Sequence, residues 1–216
     1  MTRIWSYTGE NGPEFWPELS QEFYEAAQFP LQSPISLSYE ETQPLYKNLT
    51  FHYEKQTFSI KNVNDTIHFE PVNTISFVDF LHDRYYLTDI HFHMPSEHII
   101  ANEQTSLEFH LVHKNNYGDP LVCAVLFYLT KEPAPSWAED NNELLFDPSL
   151  FLPMNASYFH YEGSLTTPPT DGPVKWFVFD QKNPMSSSLM ERFKTDLLPN
   201  NRPLQDKKQR LIYYKK

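Results

Sequence analysis

Ile90-His91-Phe92-His93-Met94-Pro95-Ser96-Glu97-His98, followed after a polar turn by Glu108-Phe109-His110, is the stretch that decides how this 216-residue chain is read. In an extended strand side chains two apart share a face, so His91 and His93 point one way and Phe92 the other. The run Ala101-Asn102-Glu103-Gln104-Thr105 is turn-like, and a second alternating segment follows it. There Leu107, Phe109 and Leu111 share one face, and Glu108, His110 and Val112 the other. If the two segments pair as antiparallel neighbours, three imidazoles converge on one point. Three neutral nitrogens around an open fourth position form the ligand set of a catalytic zinc, which lowers the pKa of bound water to about 7. A lone His-x-His pair is a weak signal. It gains weight from His110, and from Glu108 and Asp89, each two residues before a histidine, because metal-bound imidazoles usually hold a carboxylate or carbonyl on their other nitrogen.

The remainder of the chain fits a globular setting for such a site. Apolar residues make up 40% and aromatic residues 16%, enough for a core, and the length suits one domain spanning residues 1–216. Eighteen prolines against five glycines predict many reversals and few long helices. The net charge of -11 argues against nucleic acid or an anionic membrane surface as partner. Cys123 is the one cysteine, so the chain can form no internal disulfide, and its apolar surroundings read as a buried small hydrophobe. No basic segment leads into an apolar core near Met1, and no run reaches 18 apolar residues. The expected location is therefore the cytoplasm, or a secreted or periplasmic one if Met1 is not the native start.

Hydrophobic periodicity predicts a mainly β (α+β) chain. Strand-like runs fall at 35–39, 47–53, 57–61, 66–69, 74–77, 85–94, 106–113, 121–130, 176–179 and 209–214. Residues 14–28 suit short helical turns, 131–157 read as loop with a short helix at 135–145, and 186–198 as an amphipathic helix.

With these residues in place, the chain resembles the α-class carbonic anhydrases over nearly its whole length. The resemblance is carried by six ordered blocks. They are Trp5-Ser6-Tyr7 with Gly12-Pro13 and Trp16, Gln32-Ser33-Pro34-Ile35, the His91-to-His98 stretch, Glu108-x-His110-Leu111-Val112-His113, Gly163-Ser164-Leu165-Thr166-Thr167-Pro168-Pro169 with Trp176, and Asn200-Asn201-Arg202-Pro203 with Gln205.

The resemblance implies a central, twisted, largely antiparallel sheet with short peripheral helices and a conical cavity. It also implies reversible hydration of carbon dioxide to bicarbonate and a proton, by a hydroxide held on one Zn²⁺ per chain. His91, His93 and His110 would bind the metal, backed by Asp89, Glu108, Asn200 and a buried, non-ligating His98. Thr166 would orient the hydroxide and donate to an ionised Glu97. Thr167, Val112, Leu165, Trp176 and Cys123 would form the substrate wall. Anions and sulfonamides would inhibit, and a homodimer is a possibility. His113 is expected near the site, and His52, His82 and His160 are expected to face solvent or lie in loops.

Three departures from the family pattern stand out. Asp89 replaces the usual glutamine, which should raise the pKa of the zinc water slightly. Asp65, with His68 three residues on, occupies the proton-shuttle position, and an ionised aspartate is a poorly matched shuttle at neutral pH. Thr170 stands where secreted bacterial members carry a disulfide cysteine. Two other readings compete: a silent relative kept as a binding module, and an esterase using the same nucleophile.

Overall fold

The structure, a computed structural model, describes residues 5–64, 66–132, 138–140, 143–154, 157–193 and 199–216. The early strands are β1 (Ser36–Leu37), β2 (Gln43–Pro44), β3 (Leu49–His52), β4 (Gln56–Val63), β5 (Thr66–Pro71) and β6 (Phe77–Phe80). The middle of the chain supplies β7 (Asp83–His93), β8 (Ile99–Ile100), β9 (Leu107–Lys114) and β10 (Pro120–Thr130). Then come β11 (Ala138–Asp140), β12 (Glu143–Phe146), β13 (Tyr158–Gly163), β14 (Val174–Ser186) and β15 (Ile212–Lys215). Among the described residues two short α-helices, α1 (Gln21–Ala26) and α2 (Ser187–Phe193), lie outside this strand order. Ser20 caps α1, its hydroxyl accepting the Phe23 N–H at 3.1 Å.

Among the described residues thirteen strands form one sheet in the order β11-β12-β4-β5-β7-β9-β10-β14-β13-β15-β2, with β6 also on β7 and β3 on β6. Pairing is antiparallel except at β10–β14 and β15–β2. The architecture matches the expected mainly β sheet with short helices. Alternation along the central strands sends side chains to two separate cores. One holds Phe58, Phe69, Phe92, Phe109, Leu111, Cys123 and Phe177. The other holds Ile35, Val122, Ala124, Leu126, Trp176 and Val178, with Val112 and Leu165 packed against it.

The register of β7 against β9 makes the site possible. His91 stands directly across from His110, and Phe92 from Phe109, so the three histidines share the face opposite the Phe-rich core. A register shift between Leu87 and Asp89 sets this alignment.

Several local expectations need correcting. The strand placed at 74–77 runs instead from Phe77 to Phe80, where Val78 and Phe80 alternate into the core. The helix at 135–145 gives way to β11 and β12, because Leu144 and Phe146 pair with β4 and bury beside Phe58; residues 133–137 and 141–142 lie outside the described residues. β13 went unforeseen, although its Tyr-Phe-His-Tyr run has strand composition. β14 continues well past Phe179, because Lys182 to Ser186 pair along β10. The helix expected at 186–198 is seen as α2; residues 194–198 lie outside the described residues.

Candidate metal centre

Each histidine of the triad has one ring nitrogen committed to a neighbouring acceptor. His91 Nδ1 lies 2.6 Å from Asp89 Oδ2, His93 Nδ1 2.6 Å from the Asn200 carbonyl, and His110 Nε2 2.7 Å from Glu108 Oε1. Carbonyls and carboxylates only accept, so the proton of each ring sits on those nitrogens. The remaining atoms, His91 Nε2, His93 Nε2 and His110 Nδ1, then carry bare lone pairs. His91, His93 and His110 can bring three nitrogens within 4.8 Å of one another, and His110 Nδ1 is 3.3 Å from His91 Nε2. Two lone pairs facing at that distance repel unless a cation lies between them. Arms of 2.0–2.1 Å at tetrahedral angles would put such nitrogens about 3.3–3.4 Å apart. His93 Nε2 is also buried with no hydrogen-bond partner. The residues therefore fit a metal ion held by three neutral imidazoles.

The electrostatics agree. Burial is the main influence on the ligand histidines and lowers their pKa values, to about 4 for His91, about 4 for His93 and about 3 for His110, only partly offset by their acceptors. They stay neutral and able to ligate at physiological pH. Burial by itself would raise the Asp89 carboxyl, but His91 and His68 pull it well below the usual carboxylate range.

Glu108 is the fixed point behind the triad. Oε2 accepts the backbone N–H groups of Glu97 and His98 at 2.8 and 2.7 Å, and Oε1 accepts from the rings of His98 and His110. Burial opposes its ionisation, yet His98 and His110 keep the carboxyl well below its ordinary value. His98 continues the chain through Nε2 to the Tyr161 hydroxyl at 2.7 Å, which meets Ser33 Oγ at 3.0 Å. Both ring nitrogens are thereby used, in keeping with a buried, non-ligating role.

Glu97 and Thr166 lie beside the triad, both buried. Glu97 Oε1 accepts the Arg202 N–H at 2.7 Å, while Oε2 has no hydrogen-bond partner and stands 3.6 Å from His93 Nε2. Burial and then Glu108 push its carboxyl up to about 8, against the lowering effects of the Arg202 N–H and the Thr166 hydroxyl. The Thr166 loop is folded on itself, Leu165 N–H donating to the Asp171 carbonyl and Thr170 N–H to that of Thr167. Ser164 ties it to Ser33, and a Cβ on Gly163 would come 2.1 Å from Ser33 Oγ. The distant sequence blocks thus meet through hydrogen bonds around one point.

Of the expected substrate wall, Val112, Leu165 and Trp176 belong to one cluster, and Trp176 packs edge-on to His110 at 4.9 Å. Thr167 follows on the same loop and is half-buried. Cys123 does not join them. It pairs across from Leu111 and packs into the Phe-rich core, whereas Val122 faces Val112 and Trp176. The one-residue slip in a uniformly apolar run reverses the face.

His113 is likewise on the far face, its Nε2 2.7 Å from the Tyr53 hydroxyl. His160 is neither a loop nor a solvent-facing histidine: it lies on β13, stacks on Phe177 and hydrogen-bonds the Trp176 carbonyl, while His52 and His82 are exposed. Asp65 lies outside the described residues. His68 stands across from His91 with Nδ1 3.0 and 3.1 Å from the two oxygens of Asp89. Tyr7, named in the first sequence block but given no place at the site, has its ring 6.3 Å from that of His93.

Acid sensitivity follows from the far-side histidine. Burial lowers His113 from 6.5 to about 4. The unfolded chain binds the extra proton between those values, so this contribution to stability is intact above about pH 6.5 and is lost as pH falls toward 4. Its limit is about 3 kcal/mol. Denaturant titrations from pH 7 to 4 should show that loss, with a shallower slope in His113→Gln; an unchanged slope would remove His113 from the account.

Fold and site together define a β-sheet protein built around a three-histidine metal-binding centre. The family model for eukaryotic-type carbonic anhydrases matches residues 11–125 and 135–216. The chain belongs to that family, and has the fold and histidine cluster of its lyases. It is 31% identical to the carbonic anhydrase of Neisseria gonorrhoeae, over 96% of this chain and 86% of that one. It superimposes on the α-carbonic anhydrase of Thermovibrio ammonificans, solved with sulfanilamide, with a TM-score of 0.86 at 31% identity, covering 98% of each chain. A dioscorin crystallised with ascorbate aligns with a TM-score of 0.87 at 25% identity, covering 97% of each.

Proposed function

We propose that this chain catalyses the reversible hydration of carbon dioxide to bicarbonate and a proton, with His91, His93 and His110 holding one Zn²⁺. The observation that carries the proposal is the convergence of three imidazole lone pairs whose protons are all committed elsewhere. Three neutral imidazoles suit zinc, which when bound supplies the Lewis acidity that makes water a strong nucleophile at neutral pH.

The protein's own groups would do the rest. Thr166 donates its hydroxyl proton to the Glu97 carboxylate, which leaves the Thr166 oxygen to accept a hydrogen from the attacking water and orient it. Glu97 must be ionised for this, and a dication beside it favours ionisation of a carboxyl that otherwise sits near 8. Val112, Val122, Leu165 and Trp176 offer an apolar wall to an apolar substrate, while Thr167 and the Thr166 N–H guide the product anion. Anions and sulfonamides should inhibit by competing for the same metal position. The reading as a silent binding relative is disfavoured by the presence together of the triad, Glu97 and Thr166.

Stopped-flow measurement of carbon dioxide hydration on chelated and zinc-restored protein tests this. Hydration that vanishes with chelation and returns with zinc is expected, and a folded, zinc-loaded protein without hydration would overturn it.

With an aspartate, Asp65, at the shuttle position, a group poorly matched to proton transfer at neutral pH, we expect proton export to limit turnover. Raising imidazole buffer at constant pH and ionic strength should increase kcat several-fold and leave kcat/KM unchanged. A flat kcat would contradict a missing shuttle.

A further inference from the structure

His68, Asp89 and His91 form a continuous chain behind the first ligand. His68 on β5 is directly across from His91 on β7, with ring centroids 4.9 Å apart. Asp89 lies two residues before His91 and is shared by both rings: Oδ2 is 2.6 Å from His91 Nδ1, and both oxygens are 3.0–3.1 Å from His68 Nδ1. Both Nδ1 atoms must be donors, because an ionised carboxylate offers none. The tautomer and rotamer of His91 therefore depend on a carboxylate that His68 grips from the neighbouring strand. The Asp89 side chain is 18% exposed and that of His68 24%, so the chain lies at the margin of the buried site, where water competes for the carboxylate.

We propose that His68 is a positioning residue: it fixes the Asp89 carboxylate so that His91 presents Nε2 to the metal, and it thereby sets how tightly the metal is held. The inference rests on the reading that His91 is a ligand. A partner behind a ligating histidine typically contributes about 10–100-fold in metal affinity, and His68 would act through that partner.

Side-chain shape supplies a discriminating test. The asparagine amide nitrogen can occupy the position of histidine Nδ1, whereas that of glutamine reaches the position of Nε2. Zinc release to excess chelator and the visible spectrum of the cobalt-substituted protein would be measured for His68→Leu, His68→Gln and His68→Asn, with thermal unfolding of the metal-free forms as a folding control. His68→Leu and His68→Gln should lose zinc about ten-fold faster and alter the cobalt spectrum. His68→Asn should stay near the parent. The double variant His68→Leu/Asp89→Ala should be no worse than Asp89→Ala alone, since His68 acts through Asp89.

Parent-like release from His68→Leu, failure of His68→Asn to rescue, or additive effects in the double variant would each overturn the proposal. His91→Ala separates the two levels. If it still bound zinc as tightly as the parent, the ligand reading itself would fall; if it lost zinc while His68→Leu did not, only the positioning role would.

Discussion

His110→Ala should abolish tight zinc binding and carbon dioxide hydration together. The substitution removes the lone pair that faces His91 Nε2 at 3.3 Å, leaving two imidazoles where three converged. The loss in affinity should exceed the roughly 10–100-fold cost of deleting a partner behind a ligand, because a ligand itself is gone. The fold should survive, since β9 keeps its pairing with β7 and β10. Metal analysis after dialysis and the hydration rate of the same sample check this. A variant that kept one equivalent of zinc and most of its hydration would remove His110 from the centre.

Glu108→Ala is expected to do the largest damage to stability. One carboxylate accepts from two backbone N–H groups and two imidazole rings, all buried. Its removal strands four donors where water cannot replace it. Breaking a buried charged network by deleting one partner costs about 3–5 kcal/mol, a large share of the 5–15 kcal/mol that holds a typical domain together. Glu108→Gln keeps the volume but turns an amide NH₂ toward groups that are themselves donors, so it should recover only part of the loss. Urea titration of the metal-free proteins measures both. A change below about 1 kcal/mol for the alanine variant would mean that the network is not a structural anchor.

Strand parity made the core of the site legible. His91 and His93 two apart, His110 on an adjacent strand, and a carboxylate two before each of His91 and His110 are patterns of period two, and the register of β7 on β9 realises them. What the sequence hid depends on contacts between remote segments. Asn200 was expected behind the ligands only through the family resemblance: it meets His93 by its main-chain carbonyl, 107 residues away, and no side-chain pattern announces a carbonyl. The Arg202 N–H on Glu97 is hidden in the same way. Cys123 was misplaced because Leu-Val-Cys-Ala-Val-Leu-Phe is apolar throughout, so nothing in it marks which residues face the histidines. His160 was misjudged because a polar residue type says little about burial once the Trp176 carbonyl supplies a partner. His113 was misjudged because its nearness in sequence to His110 outweighed its parity, which is that of Leu107, Phe109 and Leu111 on the far face. β12 looked helical or loop-like until β4 provided the edge that draws Leu144 and Phe146 inward.

X-ray absorption at the zinc edge on the purified, zinc-loaded protein tests the central claim most directly. The account predicts one zinc per chain, with three imidazole nitrogens and one further light atom at about 2.0–2.1 Å. Fewer than three imidazoles, a sulfur ligand, or a carboxylate in place of one of the rings would contradict it.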